Sequence, residues 1–168
     1  MTRVRICRLV GRAALAVLLL GGSASAAEGP ATQVIIVLKD FTLDPPTTKL
    51  HVGDAVVLTL RNEGRTAHEW LVGRGMVRSP DEKGFQQDLF ALLNPTVEGR
   101  QYSLERVGRR PPGRDERATR TSRGVAIEPG GTVTLRFTVP ASATGEWAMA
   151  CFFTGHYETG MKGTLLIE

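Results

Sequence analysis

Apolar residues fall in short runs broken by turn-forming clusters, and almost none of the runs repeats at helical spacing. Val34-Ile35-Ile36-Val37-Leu38 is the first such run. After a Pro45-Pro46 turn, residues 49–52 and 55–61 flank Gly53-Asp54, a pattern that predicts a hairpin. Val57, Leu58 and Leu60 supply the β-branched and apolar content that strands favour. Further strands are predicted at 68–72, 124–127, 132–139, 146–151 and 163–167. Pro129-Gly130-Gly131 and residues 140–145 read as turns between them. Many short strands with regular turn signals predict an all-β chain folded as a Greek-key β-sandwich.

The middle of the chain departs from this rhythm. Ser79-Pro80-Asp81-Glu82 has the features of a helix start: a capping serine, a proline and two acids at the positive end of the helix dipole. Phe85, Leu89, Leu92 and Leu93 would form its apolar face. A short helix is therefore expected inside an inserted segment, residues 75–123. The same segment carries Arg106, Arg109, Arg110, Arg114, Arg117, Arg120 and Arg123 around Pro111-Pro112-Gly113. That stretch fits a solvated loop, and a docking patch for an acidic partner is the sharper alternative.

Residues 1–26 look like an export signal rather than part of the fold. Arg3, Arg5, Arg8 and Arg12 precede an apolar run at 13–20, and Ala24-Ser25-Ala26 has the small residues of a cleavage site. The run is shorter than the roughly 20 residues that span a bilayer. A domain at 27–168 and a periplasmic location are expected. The 21 basic side chains exceed the 17 acidic ones only because four arginines lie in this leader. The mature chain is balanced in charge, which removes the electrostatic case for nucleic-acid binding. Cleavage also removes Cys7, leaving Cys151 as the single cysteine, so no intramolecular disulfide can form.

The chemistry concentrates near Cys151. In Cys151-Phe-Phe-Thr-Gly-His156-Tyr-Glu-Thr-Gly-Met161, four residues separate Cys from His and four separate His from Met. A thiolate, an imidazole and a thioether form a set that favours copper, and His68, far upstream at the start of a predicted strand, supplies a second imidazole. Each residue alone has a plainer reading. Cys151 and Met161 could be core residues, His156 a loop residue and His68 a strand-edge residue. Their conjunction favours a metal site. His51, Met76 and Met149 have no such context.

With these residues in place the chain resembles the cupredoxins, over nearly all of the mature sequence. The terminal loop is spaced like those of rusticyanin and auracyanin, and Thr66-Ala67-His68-Glu69-Trp70 is similar to periplasmic cupredoxins associated with copper tolerance. The resemblance implies one type 1 copper ion, with His68, Cys151 and His156 in its trigonal plane and Met161 as a weak axial ligand. It also implies an electron port at His156, ringed by Phe152, Phe153 and Tyr157. The expected role is that of a monomeric one-electron carrier docking briefly with a cytochrome or copper enzyme. A copper-binding role in tolerance, sequestration or delivery is the alternative. Catalysis is not expected, because copper enzymes built from such domains need additional histidine-rich sites. Plastocyanin and azurin have asparagine directly after the first histidine ligand, where this chain has Glu69. Its carboxylate either approaches the site and favours the oxidised metal, or points to solvent.

Overall fold

The computed structural model describes residues 29–79, 82–107 and 122–168. The predicted leader, Pro80 and Asp81 of the predicted helix start, and the arginines from Arg109 to Arg120 lie outside the described residues. The strands are β1 (Thr32–Lys39), β2 (Thr42–Asp44), β3 (Thr47–Leu50), β4 (Ala55–Asn62), β5 (His68–Ser79), β6 (Glu82–Asp88), β7 (Thr96–Val107), β8 (Ser122–Thr138), β9 (Gly145–Ala150) and β10 (Lys162–Ile167). Helix α1 (Leu89–Leu93) links β6 to β7, and α2 (His156–Thr159) links β9 to β10. The chain is all-β, as its alternation predicts.

The strands hydrogen-bond in the order β2-β1-β4-β8-β5-β9-β10-β3, with β6 on β5 and β7 on β8. β1 runs parallel to β4 and β3 parallel to β10, while the other pairings are antiparallel. The array folds back on itself as a sandwich, because side chains alternate across each strand and one face must leave water. Val56, Leu58 and Leu60 of β4 point inward and join Ile36, Trp70, Leu135, Trp147, Met149 and Leu165 in the main buried core. At about 25 cal/mol per Å² of apolar surface, such burial is the main force closing the sandwich.

Three local expectations change. Gly53-Asp54 does not close a hairpin, because β3 pairs with β10 and β4 with β1 and β8. The turn carries the chain from one layer to the other: the Val52 N–H donates to Glu168 O at 2.9 Å and the Gly53 N–H to Val139 O at 2.9 Å. Pro129-Gly130-Gly131 does not end a ladder. Residues 128–131 bulge opposite the single residue Gln101, and β8 keeps β7 as its partner on both sides of the bulge. The third change concerns the helix, which begins at Leu89 and not near Ser79. A helix from Ser79 would hold Gly84 in its interior at a cost of about 1 kcal/mol. As a strand, β6 instead pairs with β5 and buries Phe85. Asp88 caps the real helix, its Oδ1 accepting the Ala91 N–H at 3.2 Å, and Asn94 ends it in a left-handed conformation at φ 44°.

Candidate metal centre

One end of the sandwich gathers the donors. β5 starts at His68, and β9 stops at Ala150, so that Cys151 is the first residue of the following loop. Gly155, at φ 82°, makes the left-handed turn that starts α2 at His156. Met161 immediately precedes β10. The Cys151 N–H donates to Met161 O at 3.2 Å, and the Met161 N–H donates to His156 O at 2.9 Å. These bonds fold the loop so that its three predicted ligand residues return to one place. The β5–β9 pairing, with Leu71 opposite Ala150, brings His68 to the same end.

The side chains meet there. His68 Nδ1 lies 3.2 Å from His156 Nδ1, and Cys151 Sγ lies 3.3 Å from the same His156 nitrogen. Among the described residues, donor atoms of His68, Cys151 and His156 all fall within 4.8 Å of one another. Nitrogen and sulfur ligands at about 2.0 and 2.3 Å from a tetrahedral ion stand about 3.3–3.5 Å apart. The cluster therefore fits a single ion, and its soft thiolate with two imidazoles suits copper. His68, Cys151 and Met161 are fully buried, and His156 is half-exposed. Met161 shares the core with Cys151.

Electrostatics follow from this burial. Burial, then the nearby His156, hold the His68 imidazole below its ordinary 6.5, with Asp40 partly opposing. His68 is thus neutral at physiological pH, the state in which an imidazole binds metal. Burial pushes the Cys151 thiol from 9.0 up to about 11, against the N–H groups of Glu69 and Phe153. Placing a cation beside the thiol would favour its ionised form.

Glu69 is 2% exposed, which excludes the solvent reading. Its N–H donates to Cys151 Sγ at 3.4 Å, and its Oε1 accepts the Phe152 N–H at 2.5 Å. The residue thus ties β5 to the loop of the thiol.

The aromatic surroundings differ from the expected ring. Phe152 is 6% exposed, stacked on Tyr157 at 5.6 Å and packed against Phe85 at 5.5 Å, so it supports the loop from beneath and does not line the surface. Phe153 meets His156 edge-on at 5.8 Å. The ring that sequence reading missed is Phe41, 37% exposed and edge-on to His156 at 5.1 Å. It comes from the turn between β1 and β2, and nothing near it in sequence signals the contact. His51 is exposed, Met76 is half-buried, and Met149 accepts the buried Trp70 Nε1–H at 3.3 Å.

No protein-family model matches the sequence. The copper-resistant cuproprotein CopI of Pseudomonas aeruginosa is 26% identical over 157 residues, spanning 88% of this chain and 82% of that protein. Among solved structures, reduced auracyanin from Roseiflexus castenholzii aligns with a TM-score of 0.48 at 20% identity, covering 83% of this chain and 99% of its own. Auracyanin B aligns with a TM-score of 0.47 at 22% identity, covering 88% and 96%. The chain is thus an all-β sandwich that gathers a histidine–cysteine–histidine cluster between β5 and the β9–β10 loop, as its sequence resemblance to the cupredoxins implies.

Proposed function

We propose that the chain is an exported copper protein carrying one electron at a time, with His68, Cys151, His156 and Met161 holding one copper ion. When bound, that ion supplies the one-electron chemistry. The protein's residues do the rest. The observation that carries the reading is the meeting of two imidazole Nδ1 atoms and a thiol at 3.2 and 3.3 Å, three of whose four proposed ligand residues are buried. Such a site, held by packed strands and backbone hydrogen bonds, changes little in shape when its charge changes, as rapid electron exchange requires. His156 alone reaches the surface, and Phe41 and Phe153 surround it with apolar area suited to a brief redox encounter. The basic and apolar leader fits export to the periplasm. No helix among the described residues is long and apolar enough to cross a membrane.

The similarity to a protein named for copper resistance favours a second reading, in which the site sequesters or delivers copper. A spectrum and two rates decide. The mature protein with one equivalent of cupric ion should develop an intense thiolate charge-transfer band that Cys151→Ser lacks. Failure of folded, reduced protein to develop it would exclude the copper–thiolate assignment. Rapid electron self-exchange with slow loss of copper to a chelator supports the carrier; slow exchange with ready copper loss supports delivery.

A further inference from the structure

Behind His68, on the side away from the thiol, lies a second arrangement that the ligand set does not use. His68 Nε2 is enclosed, and no protein group stands at ordinary hydrogen-bonding geometry to it. The nearest acceptor is Asp40 Oδ1, 3.5 Å away. That carboxylate is held in place: Oδ1 accepts the Arg65 N–H at 2.8 Å, and Oδ2 accepts Arg65 Nε–H at 3.1 Å. A buried donor without an acceptor costs about 1–3 kcal/mol, so an anchored carboxylate beside it is a strong candidate partner.

The loop over this pair is built around their approach. A β-carbon at Gly64 would stand 2.6 Å from both Asp40 Oδ1 and His68 Nε2, and 3.2 Å from Asn62 Oδ1. Any larger residue would push the carboxylate and the ring apart. Buried Asn62 holds the glycine there: its Oδ1 accepts the Gly64 N–H at 2.9 Å, while its Nδ2 donates to Thr66 O at 2.8 Å and Ile127 O at 2.7 Å.

We propose that Asp40 is a positioning residue for His68: its carboxylate accepts the Nε2 proton, so that Nδ1 faces His156 and Cys151 without one. Gly64 is the residue whose missing side chain permits this. A carboxylate behind a ligating imidazole fixes the ring's tautomer and orientation and strengthens the nitrogen that binds the metal. The geometry stands without metal; only its consequence for affinity rests on the copper reading.

The test starts with metal-free mature protein carrying ¹⁵N in its histidines, at pH 8. The wild type should show a His68 Hε2 resonance, downfield and slow to exchange with water. In Asp40→Ala and Gly64→Ala that resonance should move upfield or vanish by exchange. Asp40→Asn, which keeps an acceptor oxygen, should largely preserve it and guards against a folding defect. Arg65→Ala keeps the backbone N–H on Asp40 Oδ1 and removes only the exposed Nε–H contact to Oδ2, so it should leave the resonance in place. In a chelator competition, Asp40→Ala should weaken copper binding by about 10- to 100-fold. An Hε2 resonance unchanged in folded Asp40→Ala, or a wild-type His68 protonated on Nδ1, overturns the proposal. The expected resonances in a wild type that binds no copper would sink the copper reading and still support the Asp40–His68 pairing.

Discussion

Glu69 engages Cys151 through its own backbone, donating its N–H to Sγ at 3.4 Å, while its carboxylate takes the N–H of the next residue, Phe152. One residue of β5 thus sets both the polarity around the sulfur and the path of the loop leaving it. The carboxylate does so inside the protein, where charge interactions are stronger than in water.

Glu69→Gln keeps an acceptor for Phe152 and removes a negative charge near the metal. Loss of about 1–2 kcal/mol of charge interaction should raise the reduction potential by about 40–90 mV. Voltammetry of the loaded protein checks this. An unchanged potential would mean that this carboxyl exerts no net field on the copper.

The Cys151 thiol, raised by burial to about 11, must lose its proton when it binds metal. Copper affinity should therefore climb by about tenfold per pH unit between about pH 7 and 9, where the His68 imidazole, held below its ordinary 6.5, is already neutral. Competition titrations at several pH values measure the slope. The metal-free fold behaves in the opposite sense. Its thiol pKa lies above the ordinary 9.0, so the unfolded chain ionises first, and stability is lost as pH rises from 9.0 to about 11. Cys151→Ala should flatten that decline in a denaturant series.

Met161 is fully buried, and Leu matches its volume closely. Met161→Leu should cost less than about 1.5 kcal/mol of stability. If Met161 is the weak sulfur donor proposed above, the change should raise the reduction potential while the thiolate band survives. Loss of that band would show that the thioether holds the copper as firmly as the thiol does.

Phe41 sits edge-on to His156 at a left-handed φ of 68°, a conformation that asparagine tolerates. Phe41→Asn should leave the visible spectrum unmoved and slow electron self-exchange by about 2- to 10-fold, the loss of a contact of about 0.5–1.5 kcal/mol. Line broadening in mixtures of oxidised and reduced protein gives the rate. An unchanged rate removes Phe41 from the docking surface.

The difference between what could and could not be read from the sequence is physical. Cys151, His156 and Met161 share one loop, so their spacing survives into the fold almost directly. His68 was legible because, of the two upstream histidines, it alone stands at a predicted strand start and completes the donor set. Phe41 and Asp40 were not, because the β1–β2 turn reaches the site only through the order of strands across the sandwich. The helix signal at Ser79 was locally sound, yet pairing with β5 outweighed it. Gly53-Asp54 has the chemistry of a hairpin turn, but its flanking strands find partners elsewhere.

The joining of β5 to β9 has a kinetic consequence. His68 and His156 are 88 residues apart in the chain, and no local segment can bring their nitrogens together. Folds rich in such distant pairings form slowly, since loop-closure entropy is lost before contacts compensate it. The donor cluster should therefore be among the last features to form in refolding. Copper uptake would then report completion of the sandwich, and a partly folded chain would offer the ion only scattered donors.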